Sequence, residues 1–517
     1  MPLLEVTKLD VTMGQRQVLF DVNLSLERGD RLAIIGESGA GKSTLMRAIA
    51  RLLPAAARTT GTISFDGTAL PGGLGRDKRI GILLQDDRDR LDPLRSGMEQ
   101  LSDAVEAPDE AERRRSVLAW LGRVGLDPVR AQLFPEQLGV RERQALAVAL
   151  TLAREPELLL ADDPTAGLDG IGQRRVLDLL ESICRERRMT LLLVSPDLKA
   201  VAMLAETVAV LHAGRIVEAG RKTDVLGHPR HDYTRSVLSA GRLRQRTLMR
   251  TPIGDTLIDV RAIGRRAHRR LLPARADAAF SLEGISFEMR AGESLALFGS
   301  DGAGKSMVAR IVAGLERATT GEVLFGVHRY HGADLPVDCR ADIAFVFPDA
   351  RSAFDPRLPL GTSIAEPLRL EIDLAVEDAA DRIAEVTEAV GLSLGLLAEL
   401  PGALNLAQLQ RFAIARALIT RPKLVVLDEP ALALGIGERN EILILLDRLR
   451  ADYGLSYLVA TRDFDTARLL ADRVLVMDRG HVVEAGSPAQ LAERPQHAVT
   501  QRLMAATLPE TGIVPVF

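Results

Sequence analysis

The nine residues Gly36–Thr44, GESGAGKST, return at Gly299–Met307 as GSDGAGKSM, and their surroundings return with them. Lys42 and Lys305 lie 263 positions apart, and the same spacing carries Gly29 onto Gly292 and Gln85 onto Pro348. Further along, Asp162 matches Asp428, Pro196 matches Arg462, Gly214 matches Gly480 and Pro229 matches Pro495, each at a spacing of 266. One net three-residue insertion in the second copy, falling between 85 and 138 of the first, reconciles the two spacings. One glycine-rich match of this kind arises easily by chance, whereas two in register with their surroundings mark a duplication. Residues 1–240 are therefore read as a first domain, 241–256 as an arginine-rich linker and 257–517 as a second domain.

Each half opens with alternating, hairpin-like strands: LLEVTKLDV with VNLSLERG, and LIDVRAI with ISFEMRAG. The apolar runs RLAIIG and SLALFG then lead through the glycine loops into MRAIARLL and MVARIVAGL, which have helical periodicity. A mainly helical stretch follows in each copy, over about residues 97–155 and 361–421. Two further buried strands close each half, ELLLADD with TLLLVS and KLVVLDE with SYLVAT, each pair separated by a helix-length segment. Strands alternating with helices predict an α/β fold with a parallel sheet, here carrying an antiparallel β subdomain and a helical subdomain in each copy.

A Gly-x4-Gly-Lys-Ser stretch aims successive backbone N–H groups and a helix N-terminus into one concavity, the arrangement that stabilises nucleotide phosphates. The predicted nucleotide-binding residues are Gly36, Ser38, Gly39, Gly41, Lys42, Ser43 and Thr44, with Gly299, Gly302, Gly304, Lys305 and Ser306 in the second copy. The lysines pair with phosphate oxygens, and Ser43 and Ser306 are candidate Mg²⁺ ligands. Each half also ends an apolar strand on two carboxylates, Asp162 and Asp163 in LLLADDP, Asp428 and Glu429 in LVVLDEP. The first of each pair, Asp162 or Asp428, is expected to reach the metal; the second, Asp163 or Glu429, to orient the attacking water. Aspartate at 163 is one methylene shorter than glutamate at 429, and roughly an ångström of misplacement can cost on the order of a hundredfold in rate.

Composition narrows the alternatives. The 66 Lys and Arg against 70 Asp and Glu leave a net charge of -4, so nothing global draws the chain to nucleic acid. Two cysteines, Cys184 and Cys339, are too few for a disulfide framework or a four-ligand metal site, and both read as core residues, as does Trp120. The start of the chain lacks a secretory pattern, and no apolar run approaches the roughly 20 residues needed to span a bilayer. A reducing cytoplasm is the expected setting, and any membrane role needs other subunits to do the crossing.

On these motifs the sequence resembles the ATP-binding-cassette ATPases over nearly its whole length. More narrowly it is similar to the ATPases of dipeptide, oligopeptide and nickel importers, through RLDPL and AFDPR after the two glutamine-loop positions and the tails HPRHDYTRSVLSAG and RPQHAVTQRLMAATL. The resemblance implies ATP and Mg²⁺ as ligands, two permease partners with a solute-binding protein behind them, and a peripheral place on the cytoplasmic face of the cell membrane. It also implies that the two halves pair head to tail, each phosphate loop completed by a Leu-Ser-Gly-Gly-Gln segment of the other. Here that segment falls on Leu138, Gly139, Val140, Arg141 and Glu142, and on Leu404, Asn405, Leu406, Ala407 and Gln408. Neither copy matches; Asn405 and Gln408 stay polar and are expected to contribute in trans. The switch histidine is Pro196 in one half and Arg462 in the other, and the metal-contacting glutamine is Gln85 in the first and Pro348 in the second. An aspartate expected in the D-loop is Asp169 in the first half and Gly435 in the second.

These departures predict two unequal sites. The first holds MgATP with Lys42, Ser43, Gln85 and Asp162 but turns it over slowly; the second keeps the better acid, Glu429. The leading expectation is an importer ATPase. A nucleotide-gated clamp or assembly factor with little turnover is the alternative, and a tandem-cassette translation factor a distant third, given the short linker containing Gly254.

Overall fold

The computed structural model describes residues 1–37, 39–69, 78–84, 91–240, 253–265, 282–370, 375–432 and 434–507. Most of the expected linker, together with Ser38 and Gln85, lies outside these residues. The chain divides into two compact units, one within Met1–Gly241 and the other within Arg242–Thr507.

In the first unit, strands Leu4–Met13 and Arg16–Leu26 pair antiparallel, and Ala57–Phe65 and Thr68–Ala69 extend the same sheet. The second sheet runs Arg215–Arg221, Thr207–His212, Arg31–Ile35, Thr190–Val194, Leu158–Asp162, Ile80–Leu83; it is parallel except for its Arg215–Arg221 edge. The second unit repeats both sheets. Leu282–Arg290, Thr256–Arg265, Thr320–Phe325 and His328–Tyr330 form the antiparallel one. Ile343–Val346, Leu424–Asp428, Ser456–Thr461, Ser294–Phe298, Arg473–Asp478 and His481–Gly486 form the other, the same arrangement read from the opposite edge. The duplication read from the sequence is thus a duplication of topology.

The parallel strands are apolar on both faces because both are covered. In Arg31–Ile35, Ala33 and Ile35 pack toward a core shared with Leu146, Trp120, Leu177 and Leu180, whereas Leu32 and Ile34 face one shared with Leu45, Ile49, Leu4 and Val6. The period of two along the strand sorts the side chains between these cores. Trp120, Cys184 and Cys339 are core residues, and burial pushes the Cys184 thiol up to about 11, which keeps it protonated and unreactive at neutral pH.

The helical insert holds Gly97–Ala104, Glu110–Val124 and Val140–Leu152 in the first unit and Leu360–Ala365, Val376–Ala389 and Leu406–Leu418 in the second. The spacing is still 263 from Gly97 to Leu360 and already 266 from Glu110 to Val376, so the extra three residues enter between those helix starts. The two tails also fold alike. Glu218 accepts the backbone N–H groups of Arg230 and His231, and Glu484 those of Gln496 and His497, fixing the turn that carries each tail motif.

Candidate functional site

In both units the central buried strand ends on a glycine loop that closes into a helix, Lys42–Ile49 or Lys305–Val312. The residue before each helix, Gly41 or Gly304, has φ 105°, a left-handed conformation that a side chain would strain. At the start of each loop space is the constraint. A Cβ on Gly36 would meet the Leu211 carbonyl oxygen at 2.3 Å, and one on Gly299 the Met477 carbonyl oxygen at 2.3 Å. Both neighbours are backbone of an adjacent strand, so Gly299→Ala is expected to lower stability by about 2 kcal/mol and to displace the loop. Thermal unfolding alongside nucleotide titration checks this.

The lysines occupy their loops in the same way. Lys42 Nζ donates to the carbonyl oxygens of Gly36 (2.8 Å) and Glu37 (2.7 Å), and Lys305 Nζ to those of Gly299 and Ser300 (both 2.9 Å). Burial pushes the Lys305 ammonium below its ordinary value, against the pull of Glu429 and Asp301, with Arg462 pushing the same way as burial. The glycines, Lys42, Ser43 and Thr44 are contiguous at the first loop-to-helix turn, and Gly302, Gly304, Lys305 and Ser306 at the second.

The carboxylate pairs come to these loops from the sheet. Asp162 and Asp428 are buried at the ends of Leu158–Asp162 and Leu424–Asp428. In the second unit Ser306 Oγ donates to Asp428 Oδ1 at 2.7 Å, while Asp428 Oδ2 is buried without a hydrogen-bond partner, Arg310 Nη2 standing 4.0 Å away. A hydroxyl beside a carboxylate with an unused oxygen is a hard-oxygen set that fits Mg²⁺. The next residues, Asp163 and Glu429, both have left-handed backbones, φ 49° and 48°. Such strain in a non-glycine residue persists only where the surroundings impose it. Here the Asp163 N–H donates to the Val194 carbonyl at 2.7 Å and the Glu429 N–H to that of Ala460 at 2.8 Å.

Burial pushes the carboxyls of Asp163 and Glu429 both up to about 7. At Asp163, Asp162 and Asp197 add to the rise and Thr165 and Lys42 oppose it; at Glu429, Lys305 and Arg462 oppose it and Asp428 adds. The anchoring differs. Glu429 Oε1 accepts the Arg462 backbone N–H at 2.9 Å and Oε2 the Thr461 hydroxyl at 3.3 Å, whereas Asp163 Oδ1 faces the Thr165 hydroxyl at 3.4 Å.

The segments at 138–142 and 404–408 form helix starts. Asn405 Oδ1 accepts the Gln408 N–H (2.8 Å) and Gln408 Oε1 the Asn405 N–H (3.1 Å), a reciprocal cap for Leu406–Leu418 that leaves both amide NH₂ groups as donors. In the first unit Glu142 accepts the Gly139 N–H and is gripped by Arg130, with both guanidinium contacts at 2.7 Å. Arg141 lies 3.5 Å from the buried Asp169, which caps Gly170–Arg187. Gly435 supplies no such cap; its own N–H is taken by Glu438 at 3.2 Å.

Two contacts were not foreseen. The Glu37 N–H in the first phosphate loop donates to the Tyr233 hydroxyl at 2.9 Å, tying the tail helix to the loop. Val499 stands where a second such tyrosine would be. In the second unit, Arg462 Nη1 lies 2.8 Å from Asp301 Oδ2, inside the loop sequence itself. A tyrosine in one tail only, and an acid at the third loop position in one copy only (Asp301 against Ser38), were the available signals.

Duplicated buried strands, each delivering a lysine-bearing glycine loop beside a strand-end carboxylate pair, define a tandem P-loop nucleotide-binding protein. Residues 19–166 and 282–432 both match the family model described as "ABC transporter". The chain belongs to the ABC transporter family, as an ABC-type ATPase with two cassettes. It is 31% identical over 98% of its length to the glutathione import ATP-binding protein GsiA of Escherichia coli O6:H1, covering 89% of that protein. It is 33% identical, again over 98%, to the peptidoglycan transport ATP-binding protein YejF of Agrobacterium fabrum, covering 96%. Among solved structures, the ATP-binding cassette MJ0796, in a dimeric post-hydrolysis state with ADP and Pi, matches 45% of this chain and 98% of its own at 25% identity and a TM-score of 0.39. Among the described residues no helix is long and apolar enough to cross a membrane.

Proposed function

We propose that this chain is the ATP-driven subunit of an importer for short peptides or similarly sized peptide-like solutes. It works with two integral-membrane permeases and, through them, a solute-binding protein, at the cytoplasmic face of the cell membrane. The observation carrying the reading is the pair of phosphate loops whose lysines turn back onto loop carbonyls beside buried carboxylates. A triphosphate offers those lysines better acceptors than the carbonyls they now use. The relatives named for glutathione import and peptidoglycan transport favour the importer reading over a clamp or assembly factor, and indicate peptide-like cargo.

The first site draws on Lys42, Ser43, Gln85 and Asp162, and the second on Lys305, Ser306, Asp428 and Glu429. Ser306 and Asp428, and by analogy Ser43 and Asp162, would hold Mg²⁺, which would supply charge neutralisation at the nucleotide phosphates. The protein groups do the rest: the loop N–H groups and lysine fix the phosphates, and Glu429 holds a water by accepting its proton in line with the γ-phosphorus.

ATP binding and turnover are measured in parallel on wild type, Lys42→Ala and Lys305→Ala. Each substitution is expected to weaken binding at its own site by about tenfold or more, and Lys305→Ala to remove most of the turnover. Equal losses of turnover from both would refute the inequality of the sites.

A further inference from the structure

The second phosphate loop contains a carboxylate, Asp301, among the N–H groups that are to receive an anion. Its carboxyl is 40% exposed, and it is paired at 2.8 Å with Arg462, whose side chain is only 12% exposed. Arg462 is fixed at its backbone as well, because its N–H donates to Glu429 Oε1. The guanidinium is thus held at the phosphate loop by Asp301 while the Arg462 backbone is tied to the Glu429 carboxylate. In the first half the corresponding residues are Ser38 and Pro196, so the two charges are present together or absent together. At this loop position a carboxylate without the arginine would repel phosphate, and Arg462 is set against it as its ion-pair partner.

We propose that Asp301 and Arg462 form a latch specific to the second site, in which Arg462 is held by Asp301 in the empty protein and transfers to the γ-phosphate when ATP arrives. This rests on the reading of that loop as a nucleotide site and adds its regulation. Arg462 is then a phosphate-binding cation that favours ATP over ADP, and Asp301 an internal competitor that keeps affinity low until a triphosphate displaces it. The fork geometry of a guanidinium suits it to exchange one oxyanion for another.

The test uses the full chain in a Lys42→Ala background, titrated with fluorescent ATP and ADP in Mg²⁺ buffer. Asp301→Ser is expected to tighten ATP binding about tenfold. Arg462→Ala is expected to weaken ATP binding by about tenfold or more while changing ADP affinity less than about threefold, and Arg462→Lys to retain most of the preference for ATP. Combining Asp301→Ser with Arg462→Ala should bring ATP affinity back toward the parent, because the repelling carboxylate leaves with its partner. Arg462→Ala binding ATP as the parent does, or losing ATP and ADP equally, overturns the latch, as does weaker ATP binding by Asp301→Ser. Absence of ATP binding in both wild type and the Lys42→Ala parent would instead strike the nucleotide-site reading itself.

Discussion

Glu429→Gln is expected to reduce steady-state ATP turnover by about a hundredfold or more, while Asp163→Asn reduces it less than about threefold. The two carboxyls share a left-handed backbone, a strand-end position and a protonation point pushed up to about 7 by burial. They differ in reach and in anchoring. Glu429 has one more methylene and is oriented at both oxygens, by the Arg462 N–H and the Thr461 hydroxyl. Asp163 is shorter and held by one long contact to Thr165, with Asp162 and Asp197 adding negative charge around it. Because a base must meet its proton at hydrogen-bond distance before its affinity for that proton matters, geometry decides between two groups of similar basicity. Phosphate release under saturating MgATP measures the outcome, and comparable losses from both substitutions would contradict it.

The same Glu429→Gln change is expected to stabilise the nucleotide-free, metal-free protein, by up to about 3 kcal/mol above pH 7 and by little near pH 4.5. The sign follows from linkage. The Glu429 carboxyl titrates near 7 in the fold against an ordinary value of 4.5, so between those values the folded chain holds a proton that the unfolded chain releases. Stability therefore falls as pH rises through that window and levels off above it. Glutamine, a near-isostere that never ionises, removes the cost of the buried charge where it is greatest. Thermal unfolding in a chelator, followed from pH 4.5 to 8.5 for both proteins, reads the difference. A gain independent of pH would show that charge burial at Glu429 is not its source.

Much of the architecture was legible in the sequence because it rests on local, periodic signals. The runs RLAIIG, LLLADD and TLLLVS are apolar on both faces, which only a covered parallel strand accommodates, and they sit where the sheet places Arg31–Ile35, Leu158–Asp162 and Thr190–Val194. The phosphate loops were equally legible, since a glycine at φ 105° and a lysine that must fold over a loop leave a fixed spacing in the chain. What escaped was pairing between residues distant in sequence. Arg462 and Asp301 are 161 positions apart, and Tyr233 and Glu37 are 196 apart. Asn405 and Gln408, expected to contribute polar contacts in trans, first satisfy the helix start with their oxygens, which leaves their NH₂ groups to offer.

The amino-acid order by itself determined that this chain is two copies of one nucleotide-binding fold, and which lysines, serines and acids each copy brings, because backbone conformation and strand burial depend on neighbours a few residues away. Only the tertiary structure decided how those groups are charged and held. Carboxyls that look alike as DD and DE became unequal through the oxygens and guanidinium that packing sets against them. A protonation point displaced by burial, like an ion pair closed across a sheet, has no meaning until separate strands are brought together.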